Sequence, residues 1–576
     1  MRRAGVLTAG ALWVLATGCG SSDGGGAPSA HLSVDADRDG ALDPPGADLV
    51  TWDATRGAIL LANVDDDASR GDSDAADDVV DGDADIDDLA PLAVSAWPDA
   101  PDGASATLAV DGVAAPHVRL FRVTGDPASA AGYAVDDASG ATLDAAALRA
   151  GARFALEAVD FASSTAEGGF GGAVEATLEV RDDAGAVVAR EVARLRVAPV
   201  VFQHDLARAE AVYYTDFGFD SAPLLRGLKP AAQAADALTP VGLAVDDQWA
   251  QDYFDVGLTS RPGPGGVPVV MKVALRSAQP WRDAGAVTTD QLRGPGWGTV
   301  FTHAEPYDDQ TLGDSLNSFG NWTVVPPHEH AGTSWPLGRH LWGRSATIAP
   351  DAVFEEFVRA QRVQGELHID TTWLYVGHVD ELVSFVPATT PHGFRLLVAS
   401  PKRARRMLLD LQAGGHGDAR LFTAKKWVDD NGAETSAETT VDAVLADADR
   451  LAASEDAQTR IDEATATLRA ELGLADDEIT EMPFLFERVA GAGLAYQPGT
   501  VNLLHLDGHV VMPDPFGPVV DGVDTFRADL EARLGAAGLT VHFADDWDLY
   551  HRLDGEVHCA TNVARAMPGD WWKGAR

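Results

Sequence analysis

A chain of 576 residues is longer than one core usually organises, so several domains are expected, and 46% hydrophobic content is ample to pack them. Lys and Arg number 43 against 88 Asp and Glu, a formal net charge of -45, which argues against nucleic acid or anionic lipid as partners and favours solubility or cationic ligands. General surface acidity or bound metal accounts for the same excess equally well.

The N-terminus reads Met1-Arg2-Arg3, an apolar run from Ala4 to Gly18, Cys19, and then Gly20-Ser21-Ser22-Asp23-Gly24-Gly25-Gly26. A basic start and a short apolar run make a secretion signal, too short for a comfortable membrane span. Leu15-Ala16-Thr17-Gly18-Cys19 resembles a bacterial lipoprotein box. The expectation is a lipoprotein signal peptide over 1–19, a flexible tether over 20–29, and an exported protein held at the cell envelope by a lipid on Cys19. The alternative is an ordinary signal peptide with a coincidental cysteine.

From about Ala30 the chain becomes polar and short-stranded. Asp35, Asp37 and Asp39 alternate and end in Gly40, as the first half of a calcium loop does, but Gly46 stands where an EF-hand needs its bidentate Glu. Asn63, Asp65 and Asp67 then lead into an acidic run that includes Asp74, Asp77, Asp85 and Asp88. So many carboxylates repel one another unless a hard cation gathers them. A multi-calcium loop and a disordered acidic linker are the two readings. Alternating segments at Thr107–Val110, His117–Val123, Phe154–Val159, Val174–Val180 and Ala193–Val197, separated by Gly, Asp and Ala turns, give a β-sandwich over 30–199.

After about Val200 the texture becomes α/β. Ala352 to Val363, Lys402 to Leu411, Val441 to Leu472 and Val523 to Leu534 read as helices, with strand-like runs such as Phe394–Ala399 between them. The stretch Gly555-Glu556-Val557-His558-Cys559 holds the second of only two cysteines. With Cys19 explained by lipidation, Cys559 has nothing to pair with and is either an inert core residue or a nucleophile. His378 and Asp380 stand two apart and share a face if extended. Asp246-Asp247-Gln248-Trp249-Ala250-Gln251-Asp252 packs carboxylates around an aromatic. Each group alone is weak. Together they suit a guanidinium, which two carboxylates can hold, an aromatic face can cover and a thiolate can attack.

Asp247-Gln248-Trp249-Ala250-Gln251-Asp252, Ser318-Phe319-Gly320-Asn321, Trp335-Pro336-Leu337-Gly338-Arg339, Val376-Gly377-His378-Val379-Asp380-Glu381, Pro515-Phe516-Gly517-Pro518 and Gly555-Glu556-Val557-His558-Cys559 resemble, in the same order, motifs of the protein-arginine deiminases. The resemblance runs from about Val200 to Trp572. It extends backward through Ile59–Asp65 and the acidic run, which resemble that family's calcium-binding, immunoglobulin-like middle domain. It implies a multidomain chain, an immunoglobulin-like β-sandwich followed by a five-module pseudo-symmetric α/β-propeller of the guanidino-modifying type over 200–576. It also implies roles. Cys559 is the nucleophile, and His378 protonates departing ammonia and then activates water. Asp252 and Asp380 clamp the guanidinium, Trp249 covers the substrate side chain, and Val376, Gly377 and Arg276 complete the substrate site. Arginine in proteins or peptides becomes citrulline.

The resemblance implies calcium in the sandwich, and catalytic-domain calcium ligands carry over only at Gln251, Asp255 and the carbonyl of Phe319. Trp322-Thr323 replaces a Leu-Glu pair, Tyr253 stands beside Asp252 where an acid is usual, and Lys272-Val273-Ala274-Leu275-Arg276 replaces a ligand loop. One reading is that Lys272 or Arg276 supplies in place the charge that calcium supplies in relatives; the other is simple divergence. Leu553 stands where a substrate-side Arg is usual, so a smaller guanidine such as free arginine is the alternative substrate. A calcium-dependent surface binding protein with an idle catalytic fold is the rival of another class.

Overall fold

A computed structural model describes residues 30–574 apart from 83, 308–311 and 430. The signal peptide, the tether and Cys19 lie outside the described residues. Two five-stranded sheets form the first region. One runs in the order Leu32–Val34, Ala90–Val94, Ala152–Ala158, Val118–Val123, Tyr133–Asp136. The other runs Ala58–Leu60, Val187–Val197, Ala173–Arg181, Ser105–Val110, Ala141–Leu143. Alternation does the sorting: in Ala173–Arg181 the buried residues are Val174, Ala176, Leu178 and Val180, while their neighbours face outward. The inward rows of both sheets, Leu92, Phe154 and Leu156 on one and Leu108, Leu178 and Leu195 on the other, share one core. That core continues into Phe319, Trp322, Trp342 and Phe354 of the second region. The acidic run is ordered as short 3-10 turns at Asp74–Ala76 and Asp85–Asp87.

The second region contains five small sheets of like construction. They centre on the antiparallel pairs Phe254–Pro262 with Pro268–Arg276, Trp322–Val325 with Arg339–Gly343, Val383–Pro387 with Phe394–Ser400, Leu504–Leu506 with His509–Pro513, and Ala209–Thr215 with Thr561–Arg565. Each pair carries one further strand in parallel, respectively Trp297–Val300, Gly365–Ile369, Ile479–Pro483, Thr540–Ala544 and Val241–Leu243. A parallel neighbour requires a crossover. Four of these connections are made by helices, at Ala352–Gln361, Pro401–Ala413 with Ala448–Leu472, Thr525–Gly535 and Ala222–Asp236. The last strand of the region pairs with its first long one, so residues near the C-terminus complete the sheet nearest its start.

One expected element differs, and one helix was not expected. The helix expected over Val441 to Leu472 breaks into Val441–Ala446 and Ala448–Leu472, because Asp447 is extended and turns its carboxylate to the Arg450 N–H as an N-cap. The helix Ala222–Asp236 carries Pro230 inside it, a residue that removes one backbone donor and hides the helix from a pattern reading.

Candidate functional site

The site residues sit in the turns that lead into one strand of each of the five sheets. Asp252 lies on the helical turn Ala250–Tyr253 ahead of Phe254–Pro262, and Gly320 on the 3-10 turn Phe319–Asn321 ahead of Trp322–Val325. Asp380 lies on the 3-10 turn Val379–Glu381 ahead of Val383–Pro387, and Asn502 two residues before Leu504–Leu506. Cys559 lies in the turn before Thr561–Arg565, closed by Ala560 N–H to Glu556 O at 3.0 Å and Thr561 N–H to His558 O at 3.0 Å. Five short, separately folded turns thus converge, and each strand end fixes the aim of its side chain.

The Cys559 thiol is buried, with 4% of the residue exposed. Its sulfur lies 3.4 Å from Asp380 Oδ2 and accepts from Asn502 Nδ2 at 3.2 Å. Burial pushes the thiol well above its ordinary value, and the charges of Asp380 and Asp252 push it further. Asp380 Oδ2 also meets His558 Nδ1 at 2.9 Å. Burial pulls the His558 imidazole down, but its hydrogen bond to Asp380 and the charges of Asp380, Asp205 and Asp255 together outweigh this and the net shift is upward. His378 meets the carbonyl of Ser315 through Nε2 at 3.0 Å and turns Nδ1 toward Asp252 Oδ1 at 3.8 Å. Burial raises the Asp252 carboxyl, against the lowering pull of His378 and Arg282.

The centre of the site is the space over Gly320. A Cβ on that glycine would stand 2.6 Å from His378 Nδ1, 2.8 Å from Asp252 Oδ1 and 3.1 Å from Asp380 Oδ2. Only the absence of a side chain leaves this point open. Around it, Asp252 Oδ1 and Asp380 Oδ1 are buried carboxylate oxygens with no hydrogen-bond partner. Two orphaned anionic acceptors in a desolvated slot cost several kcal/mol unless a cationic donor is bound between them. Trp249 forms one wall, its ring lying against Gly555, where a Cβ would come within 2.3 Å, and edge-on to Tyr550 at 5.9 Å.

The structure therefore brings Cys559, His378, Asp252, Asp380 and Trp249 together. The remaining expected substrate residues are placed differently. Gly377, at φ +94°, donates its N–H to Glu381 at 3.0 Å, and the Val376 carbonyl accepts from Ser315 Oγ at 2.7 Å. Arg276 donates to the carbonyls of Pro280 and Arg282 and lies over Phe301. Lys272 pairs with Glu210 at 2.7 Å and lies over Trp297. The cation beside Asp252 is Arg282, which the sequence reading did not single out. Ser315 and Asn502 were also missed. Asn502 is 57 positions from Cys559, and no local pattern marks it.

Gln251 and Asp255 line one small cavity of about 30 Å³ with Gln203, Asp205, His558 and Arg565. Phe319 does not line it, and its carbonyl accepts the Trp322 N–H. The two carboxylates and two amides are donors that suit a hard cation. The Arg565 guanidinium already stands 3.5 Å from Asp205. Burial pushes the Asp255 carboxyl up to about 7.

In the first region, the carboxylates fall into three groups among the described residues, Asp35 with Asp37 and Asp39, Asp65 with Asp67 and Asp88, and Asp67 with Asp74 and Asp85. Burial pushes Asp35, Asp65 and Asp74 to about 7 and Asp67 to about 6. Asn63 Oδ1 and Asp65 Oδ1 are buried without partners. Oxygen donors so gathered fit calcium chemistry, and these are the residues that would hold it. Asp77, expected among them, is exposed and accepts from the Val79 N–H. Glu157 joins the group unannounced, taking Asn63 Nδ2 at 2.8 Å, with burial pushing it to about 8.

A buried thiol, an imidazole and two half-satisfied carboxylates around one open point define the class of a guanidino-modifying hydrolase. The protein-arginine deiminase family model matches residues 187–573, and the model of that family's middle domain matches residues 29–180. A protein-arginine deiminase type-4 of Mus musculus is 30% identical over 572 residues, covering 94% of this chain and 82% of the relative. A type-3 enzyme of Homo sapiens is 36% identical over 336 residues, covering 57% of this chain and 48% of the relative. Among solved structures, a putative arginine deiminase from Porphyromonas gingivalis is 14% identical and covers 64% of this chain and 98% of its own, with a TM-score of 0.33. The chain belongs to the protein-arginine deiminase family.

Proposed function

We propose that this protein hydrolyses arginine side chains in proteins or peptides to citrulline and ammonia. The observation that carries the reading is the point over Gly320, faced by Asp252 Oδ1 and Asp380 Oδ2 beside the Cys559 thiol, with one oxygen of each carboxylate, Asp252 Oδ1 and Asp380 Oδ1, buried without a hydrogen-bond partner. A guanidinium placed there donates to both carboxylates, and its planar face meets Trp249. Its positive charge offsets the two carboxylates that hold the thiol protonated, so substrate binding itself favours the thiolate. The thiolate adds to the guanidinium carbon. The C–N bond to one nitrogen then breaks as His378 gives that nitrogen its proton, and ammonia leaves a thiouronium on Cys559. Water, giving a proton back to His378, adds to the same carbon, and the C–S bond breaks to release citrulline.

The five sheets of like construction are read as five modules of an α/β-propeller. Calcium is assigned to the Asp35, Asp65 and Asp67 groups, and export with a lipid on Cys19 is retained as a proposal from the N-terminal sequence. Free arginine or another small guanidine is the second substrate reading, favoured by one observation: Arg276, the residue expected to meet a peptide backbone, turns Nη2 to the carbonyls of Pro280 and Arg282 and lies over Phe301.

The test measures citrulline formed from an arginine-containing peptide and from free arginine, with calcium and with chelator. Peptide turnover lost by at least about 10⁴-fold in Cys559→Ser supports the first reading. Turnover of free arginine alone moves the assignment to a small guanidine, and no Cys559-dependent product from either leaves a calcium-dependent binding protein.

A further inference from the structure

We infer that Arg282 is the positioning residue of this site, a resident guanidinium that holds three of its walls in register so that the substrate guanidinium meets a preassembled clamp. The inference rests on the deiminase reading and deepens it.

Arg282 is 7% exposed, and its planar head is spent entirely inside the protein. Nε and Nη2 fork onto Asp247, at 2.7 Å to Oδ2 and 3.1 Å to Oδ1. Asp247 Oδ1 in turn accepts the Trp249 backbone N–H at 2.9 Å, so the fork fixes the turn that carries the covering indole. Nη1 reaches Ser318 Oγ at 3.1 Å and Gln279 Oε1 at 3.2 Å, and Ser318 opens the turn that carries Gly320. Nη2 also faces Asp252 Oδ2 at 3.5 Å. One rigid fork thus ties the Trp249 wall, the Gly320 floor and the Asp252 clamp, and it takes Oδ2 of Asp252 while leaving Oδ1 turned to the open point. A planar guanidinium can do this because its donors diverge at fixed angles; a lysine ammonium carries charge without that fork. The arrangement also keeps a carboxylate oriented in a buried slot before any substrate arrives, and the fixed cation offsets part of its desolvation. Arg282 does not touch the reacting carbon and is not a catalytic residue.

The experiment compares the full-length wild type, Arg282→Met and Arg282→Lys in two measurements. The first is kcat and KM for an arginine-containing peptide. The second is the rate at which 2-chloroacetamidine alkylates Cys559, divided by the rate for 2-chloroacetamide. Both reagents form a C–S bond with loss of chloride, and only the amidine carries the charge that Asp252 and Asp380 would hold. The expected result is that Arg282→Met lowers both kcat/KM and the amidine-to-amide ratio by about 10- to 100-fold, and that Arg282→Lys recovers part of each. A role in folding alone would change yield or melting temperature without changing the ratio at a titrated thiol. A folded Arg282→Met protein whose ratio and kcat/KM stay within about twofold of wild type overturns the inference. If Arg282→Met does not fold, Asp247→Asn, which weakens the fork and keeps the cation, is read in the same way. It must lower the ratio in the same direction, and an unchanged ratio overturns the inference. Loss of turnover and of amidine preference in the wild type itself would instead overturn the deiminase reading.

Discussion

The two acidic centres of this molecule solve the same problem in opposite ways. In the first region, Asp35, Asp37 and Asp39, and around them Asp65, Asp67, Asp74, Asp85 and Asp88, gather carboxylates with few fixed cations among them, and burial raises Asp35, Asp65, Asp67 and Asp74 to between about 6 and about 7. In the catalytic region, Asp247, Asp252 and Asp380 are each met by a cation or imidazole built into the chain, Arg282 on the first two and His558 on the third. The first arrangement would be completed by a mobile cation. The second is nearly complete by itself and leaves one oxygen on each clamp carboxylate free. On the proposed function, a site for a metal and a site for a transient organic cation would differ here in how much of the positive charge the chain itself supplies.

Three perturbations would break or sharpen that contrast. The largest effect is expected at Gly320, where a methyl group would fill the point between His378, Asp252 and Asp380. Gly320→Ala should lower kcat/KM by about 10²- to 10³-fold through displacement of the bound guanidinium and cost about 1–3 kcal/mol of stability, because its Cβ would clash with His378 Nδ1 and Asp252 Oδ1. Substrate kinetics beside a melting curve would check this, and full activity would mean that the substrate lies elsewhere.

A smaller effect is expected at Asp67, the one residue shared by two of the three carboxylate groups. Calcium at about 100 times its Kd should stabilise the wild type by about 2.7 kcal/mol per site. Asp67→Asn should lose most of that rise in Tm while its stability in chelator is equal or higher, because one repelling charge is gone. Calorimetry with calcium and with chelator decides it. An equal calcium response in both proteins would remove Asp67 from the ligands.

The smallest effect belongs to Glu478, whose carboxylate is fully paired within the chain. It accepts the backbone N–H groups of Ala475 and His392 at 3.0 and 3.1 Å and meets His392 Nδ1 at 2.8 Å. Despite the opposing effect of burial, these contacts hold its carboxyl at about 2. A folded value below the ordinary 4.5 means that the contribution is fully present above about pH 4.5 and is lost as pH falls toward about 2. Glu478→Gln should therefore cost about 1–2 kcal/mol at neutral pH and flatten the stability curve between those limits. Denaturant titrations at several pH values would show it, and an unchanged acid limb would assign that loss of stability to other groups.

Much of this was legible in the chain itself. Alternation placed Val174–Val180 as a strand and an apolar run placed Phe394–Ala399, because a half-buried period of two and a buried run are both local properties of sequence. The collinear motifs around Asp252, His378, Asp380 and Cys559 carried the family, and with it four groups that meet in one site. The spacing of Asp35, Asp37 and Asp39 also survived into one carboxylate group, since alternate residues of a tight loop stay close whatever the rest of the chain does. Asp77 did not, because Asp77 lies just past the turn Asp74–Ala76, with its side chain turned outward.

What the sequence determined by itself, then, was the kinds of element, the acidic loops and the identity of the thiol chemistry, all of which are written in short stretches. Only the tertiary structure decided which groups share the site. Arg282 comes 30 positions after Asp252 in sequence, Ser315 63 before His378, and Asn502 57 before Cys559. No periodicity relates them. They meet because each lies on a turn or loop at the ends of those strands, and strand pairing across hundreds of residues, down to Thr561–Arg565 on Ala209–Thr215, brings those ends to one point. The same pairing sent Lys272 to Glu210 and Arg276 to Phe301, while the cation beside Asp252 is Arg282, farther along the chain.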